Sequence, residues 1–94
     1  MTIGNIANQA GVCFSFDTFK TVKKVLAKSE KINRHNHIGH QIVFVIVKGS
    51  VTVFLDGQEE HLLTPGTALT FNGEHTIEAE ANEHSEIFVT LIKE

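Results

Sequence analysis

The feature that most restricts this chain is its rhythm. Apolar residues recur at alternate positions in short segments, and a turn signal closes almost every segment. Side chains two apart share a face of a β-strand, whereas a helix needs a period of about 3.6. Residues 12–16 alternate Val12, Phe14 and Phe16 against smaller partners. Residues 51–55 alternate Val51, Val53 and Leu55 against Thr52 and Phe54, and Asp56-Gly57 follows as a strong hairpin signal. Residues 59–63 then return as the partner strand. Pro65-Gly66 marks a turn, residues 68–71 form a short strand ended by Asn72-Gly73, and residues 75–81 alternate again. A polar turn at 82–85 leads into a last strand over 86–92. Only residues 18–31 carry a competing signal, with Phe19, Val22, Val25 and Leu26 at helical spacing. They are assigned as strand, because the other strands need partners and an isolated hairpin is not stable.

Short strands at regular spacing, with no Trp and no cysteine pair, predict an all-β sandwich or barrel. Residues 42–47 are apolar on both faces, so this strand is covered on both sides. One cover is the barrel interior. The other is a second layer or a partner subunit. Ninety-four residues support one domain with one core, spanning 1–94.

Composition narrows the function classes. The chain is 41% apolar and 20% charged, with a formal charge of −3, which gives no basis for a nucleic-acid partner. Lys20, Lys23, Lys24, Lys28, Lys31 and Arg34 all precede His35, and most of the acids lie at Asp56 or later. That asymmetry favours either two solvated faces or the pairing of two copies. The lone Cys13 cannot close an internal disulfide, which suits a reducing compartment. The first twelve residues lack a basic region and an apolar run, and no apolar run is long enough to span a bilayer. The expectation is a cytoplasmic protein with no membrane partner.

Candidate chemistry concentrates in HNHIGHQ, residues 35–41, at the mouth of the most apolar strand. On an extended chain His35 and His37 share a face, Gln41 joins them unless residues 37–40 bend, and His40 points away. Two imidazoles at the head of a strand entering a dry interior can hold a metal ion or bind a substrate anion. His75 stands on the face of a second strand that carries Ile77 and Ala79. His61 sits across from Val53 if Asp56-Gly57-Gln58 is a three-residue loop, and would then face the interior. Glu74 and His84 read as solvated, and Cys13 as a small apolar residue.

These residues resemble the cupins, small β-barrels of the jelly-roll type. The first cupin motif, HxH followed by Glu or Gln and a strand ending in Gly, is similar to His35-Asn36-His37, Gln41 and Gly49. The second, a Pro-Gly turn followed by a short strand and a His, is similar to Pro65-Gly66 and His75. The resemblance covers about residues 20–92. It implies a single-domain cupin-type jelly-roll β-barrel with a divalent transition metal (Zn, Ni, Fe, Cu or Mn) on His35, His37, Gln41 and His75. The sequence departs from the pattern in three places. Gln41 replaces the usual Glu, the segment from Gln41 to Gly49 is one residue longer, which implies a β-bulge, and Ala79 stands where an Asn often follows. If the bulge re-aims the chain, His40 takes the place of Gln41.

Two functions from different classes follow from the resemblance. One is a metal-dependent oxygenase or isomerase acting on a small organic molecule, with no obvious carboxylate to serve as base. The other is a non-catalytic small-molecule-binding or sensor module; a metal-free interaction protein is a third reading. Fold alone does not choose between them. Residues 1–16 read as an N-terminal strand or arm that packs on, or swaps with, a partner subunit, so a homodimer is expected.

Overall fold

The computed structural model describes residues 3–94 and is built entirely of strands and their connections. Met1 and Thr2, the start of the expected arm, lie outside the described residues. Nine strands run β1 Gly11–Ser15, β2 Phe19–Leu26, β3 Lys31–His35, β4 His40–Lys48, β5 Val51–Leu55, β6 Glu59–Leu63, β7 Ala68–Asn72, β8 Ile77–Ala81 and β9 Ser85–Lys93. They form two antiparallel sheets, β1-β2-β9-β4-β7 and β3-β8-β5-β6. Strands β2 to β9 form two four-stranded layers in the jelly-roll order, the chain crossing between layers at every connection except the β5–β6 hairpin, and β1 adds a fifth strand at one edge.

The segment with the competing helical signal is β2, paired with β9 in unbroken register from Phe19↔Ile92 to Leu26↔Ser85. Tertiary pairing overrides its local propensity. Strand β1 pairs with β2 of its own chain, so the expected arm shortens to residues 3–10, where Ile3 and Ile6 are almost wholly exposed. Asp56 and Gly57 both have positive φ, 55° and 68°, and Gln58 donates to the Leu55 carbonyl over 3.1 Å. This is the turn that an Asp-Gly pair favours, and it sets the expected register of Val53 opposite His61.

Alternation along the strands builds the core. Ile42, Phe44 and Ile46 of β4 point inward with Ile87 and Val89 of β9, and they meet Val51, Val53 and Leu55 of β5 and Ile77 and Ala79 of β8. The expected bulge lies in β4 at Val47, between the pairs Ile46↔Ile87 and Lys48↔Glu86. It sits at the far end of the strand, so Gln41 to Val45 keep regular register with both β7 and β9.

Candidate ligand-binding cavity

Between the two sheets lies a cavity of about 250 Å³. Ile42, Phe44, Phe71, Val89 and Leu91 line it from one sheet and Ile32 and Ile77 from the other, while Lys20, Lys24, His35 and His37 supply its polar groups. Each polar residue arrives by a local rule. In β2 the period of two puts Lys20, Val22, Lys24 and Leu26 on the inner face, and Leu26 is buried at 5% exposure. The lysine stems cover apolar surface and bring an ammonium group to each end of this face.

His35 reaches the cavity through an irregularity. Ile32 pairs with Ala79 and His35 with Ile77, so three steps on β3 match two on β8. The extra residue flips the face, and Ile32 and His35 both line the cavity. Arg34 is turned to the outer surface, where it meets Glu78 at 3.2 Å. His35 Nδ1 lies 2.7 Å from the Asn33 carbonyl, which only accepts, so this nitrogen carries the proton and Nε2 is the free ring nitrogen.

His37 is not on a strand. It begins a turn in which His40 N–H donates to the His37 carbonyl, 3.1 Å, across Gly39 at φ 87°. Gly73 then fastens that turn: His37 N–H donates to Gly73 O, 2.9 Å, and Gly73 N–H donates to His40 O, 2.8 Å. The HxH run is thus the end of β3 and the following connection, not one extended strand. The two rings still come together, edge to face, with centroids 4.9 Å apart. Burial, and then the adjacent His35, His40, Lys20 and Lys24, hold the His37 imidazole below its ordinary range.

The four residues expected to ligate a metal do not meet. Gln41 faces away from the cavity, because its neighbour Ile42 faces in at 2% exposure and alternation is strict here. The Gln41 side-chain amide donates to Thr70 Oγ1 over 3.0 Å on the outer surface. His40, expected to point away, shares the inner parity of Ile42 and opens with His37 and Lys20 onto a second hollow beside β1. His75 lies in the bend before β8, its Nδ1 2.7 Å from Asp56 Oδ2, while Asp56 Oδ1 accepts Thr76 N–H over 3.0 Å. These two bonds hold the Asp56 carboxyl below the usual range, the Thr76 N–H first and His75 second. His75 is not among the residues that line the cavity. Among the described residues no three His, Cys, Asp or Glu side chains are gathered to hold a cation. Two imidazoles flanked by two ammonium groups, with no carboxylate in the lining, are a poor donor set for a divalent ion.

The remaining candidates stand apart from the cavity. His61 is on the inner side of β6 but pairs with Glu59 at 2.6 Å near the open edge. His84 and Glu74 are exposed, and Cys13 is a free, half-buried thiol in β1. Lys20 and Lys24 were not anticipated as site residues. The signal was present, since strand spacing over residues 20–26 puts both lysines on one face with Val22 and Leu26.

No family model matches the sequence, and no curated relative matches it. Solved structures do resemble the fold. An RmlC-like cupin protein from Desulfovibrio desulfuricans superposes with a TM-score of 0.82 at 17% identity, over 98% of this chain and 96% of that one. A cupin superfamily protein from Desulfitobacterium hafniense gives a TM-score of 0.82 at 12% identity, covering 95% of this chain and 84% of its own. An RmlC-like cupin from Shewanella frigidimarina gives a TM-score of 0.79 at 20% identity, covering 88% and 73%. The chain has the cupin fold, as its two histidine-bearing motifs implied.

Proposed function

We propose that the chain is a small-molecule-binding module of the cupin fold, and that the cavity between its sheets takes the ligand. One observation carries this reading: an apolar chamber of about 250 Å³ opens between the layers and is edged by a few convergent polar groups. That is the usual form of a ligand site, and the volume sits just below the roughly 300–1,000 Å³ of drug-sized sites. The ligand is accordingly small. Among the described residues no carboxylate and no Ser, Thr or Cys stands in the lining, and no group there orients Lys20, Lys24 or His37 through a hydrogen bond, so binding needs fewer assumptions than catalysis.

The test is a thermal-shift screen of small organic acids, amides, alcohols and amines against the wild type and Val22→Phe, which fills the chamber from β2. Wild type should be stabilised by some members of the panel and the variant by none. A set of hits shared equally by both proteins would refute the cavity as the site.

A second reading keeps the metal-dependent oxygenase or isomerase. It is favoured by the His35–His37 pair, whose rings lie 4.9 Å apart. Metal analysis of untagged protein separates the two readings, and His35→Ala should remove any bound ion.

A further inference from the structure

We propose that the ligand of this cavity is an organic carboxylate, its anionic head held between the ammonium groups of Lys20 and Lys24 and its apolar body lying on Val22, Ile42 and Phe44. The inference rests on the cavity being the binding site and names what that site selects.

Charge accounting carries it. The lining contains Lys20, Lys24, His35 and His37 and no acidic side chain. Lysine carries a full positive charge at neutral pH, whatever the state of the rings. Of the basic residues of the same region, Lys23 Nζ lies 2.8 Å from Glu86 and Arg34 lies 3.2 Å from Glu78, while Lys28 and Lys31 stand outside the cavity lining. Among the described residues neither Lys20 nor Lys24 has a carboxylate within ion-pairing distance. Two uncompensated cations therefore border one apolar chamber, in a chain whose net charge is −3. Low-dielectric walls focus such a field on the opening, which draws anions and repels cations.

Spacing argues for a clamp rather than a single contact. Four residues of strand separate the Cα atoms of Lys20 and Lys24 by roughly 13 Å, with Val22 midway. The flexible stems reach toward the middle from both ends, and a carboxylate offers two oxygens to receive them. The rest of the lining is aliphatic or aromatic, so inorganic phosphate would leave it unfilled, and a nucleotide is too large for about 250 Å³. An aromatic or branched aliphatic acid satisfies both halves. His35, with Nε2 as its free nitrogen, can accept a bond from a hydroxyl on such an acid.

Calorimetric titration with benzoate, its neutral isostere benzamide, benzylammonium and inorganic phosphate tests the assignment, on wild type, K20M/K24M, the control K28M/K31M and V22F. Benzoate should bind wild type and the control at least tenfold tighter than benzamide, with benzylammonium and phosphate weaker still. In K20M/K24M the preference for benzoate should vanish while benzamide still binds, which shows that the chamber is intact; K20R/K24R should retain it. Equal affinity for benzoate and benzamide in wild type, or an unchanged ratio in K20M/K24M, overturns the carboxylate while leaving the cavity as a binding site. If none of the four binds wild type, or V22F binds benzoate as wild type does, the cavity itself is not the site and both readings fall.

Discussion

The amide of His37 donates to the carbonyl of Gly73 over 2.9 Å, and the two backbones approach so closely that no side chain fits between them. A Cβ on residue 73 would stand 2.1 Å from the His37 oxygen and 2.8 Å from the His40 oxygen. Both obstacles are backbone, so neither yields by a change of rotamer. Gly73→Ala should therefore push the His37 turn off the end of β7. By analogy with other overpacked sites, the loss of stability is expected at about 1–3 kcal/mol in urea unfolding. Amide and imidazole resonances of His37 and His40 should shift together. A variant with wild-type stability and unmoved resonances would show that the turn is not held this way.

Asp56 ties the β5–β6 hairpin to the approach of β8, and its depressed pKa gives that tie a pH signature. Hydrogen bonds from Thr76 N–H and from His75 favour the charged carboxylate in the folded chain. A group whose folded pKa lies below its unfolded value stabilises the fold above the unfolded pKa, about 3.9 for Asp, and loses that contribution as pH falls through the folded value. Asp56→Asn keeps a side chain that tolerates the positive φ of 55° and removes the charge together with one of the two acceptor oxygens. Wild type should melt above the variant at pH 7, and the gap should close in acid as Asp56 is protonated. Melting curves between pH 7 and pH 2.5 read this directly. A gap that widens in acid would mean the sign is wrong.

The layering of this fold is legible in the sequence because period-two patterning and turn chemistry agree. Val51, Val53 and Leu55 are inward as their alternation requires, and Asp56-Gly57 sets the register that follows. The jelly-roll order was not legible from pattern and came through the resemblance of the histidine and Pro-Gly motifs. The site was only half legible. His35 and His37 were recognisable as a pair, but the face of Gln41 hung on whether residues 37–40 bend, and they do. Alternation counts from a strand's true start, and here a β3 irregularity and the turn at Gly39 each reset the count. His75 was placed wrongly for a different reason: it lies in the bend before β8, not on the strand, and its Nδ1 partner Asp56 is 19 residues away in sequence. Lys20 and Lys24 share a face in either reading of the segment, four apart on a helix or two steps of two on a strand; what the sequence alone did not show is that this face lines the cavity.

The expectation of a homodimer has a specific surface to rest on. The outer face of the five-stranded sheet carries Val43, Val45 and Val47 of β4 beside Phe88 and Ile92 of β9, with Val47 and Ile92 well exposed. Ile3 and Ile6 extend beyond the β1 edge at 96% exposure. A second copy would cover these apolar side chains, and an isologous contact needs only one such patch per chain. Sedimentation equilibrium at micromolar concentration should return twice the chain mass, and Val45→Lys should return the monomer. A monomeric wild type would remove the dimer.

Metal removal bears on the site most sharply, because the two readings of the histidines differ in what holds the fold together. A structural or catalytic ion on converging imidazoles stabilises the folded state through its binding energy, so chelation lowers the melting temperature of such a protein. Here Gln41 faces outward onto Thr70, His75 does not line the cavity, and the further polar residues beside His35 and His37 are Lys20 and Lys24. Chelator-treated protein should therefore melt within a degree of the untreated sample, and added Zn²⁺ or Ni²⁺ should leave the melting temperature unchanged. His75→Ala should cost stability through the lost Asp56 contact, alike with and without chelator. A melting temperature that falls several degrees with chelator and recovers with metal, in wild type but not in His75→Ala, would mean that His75 swings from Asp56 to the cation and that the four-ligand centre forms on loading.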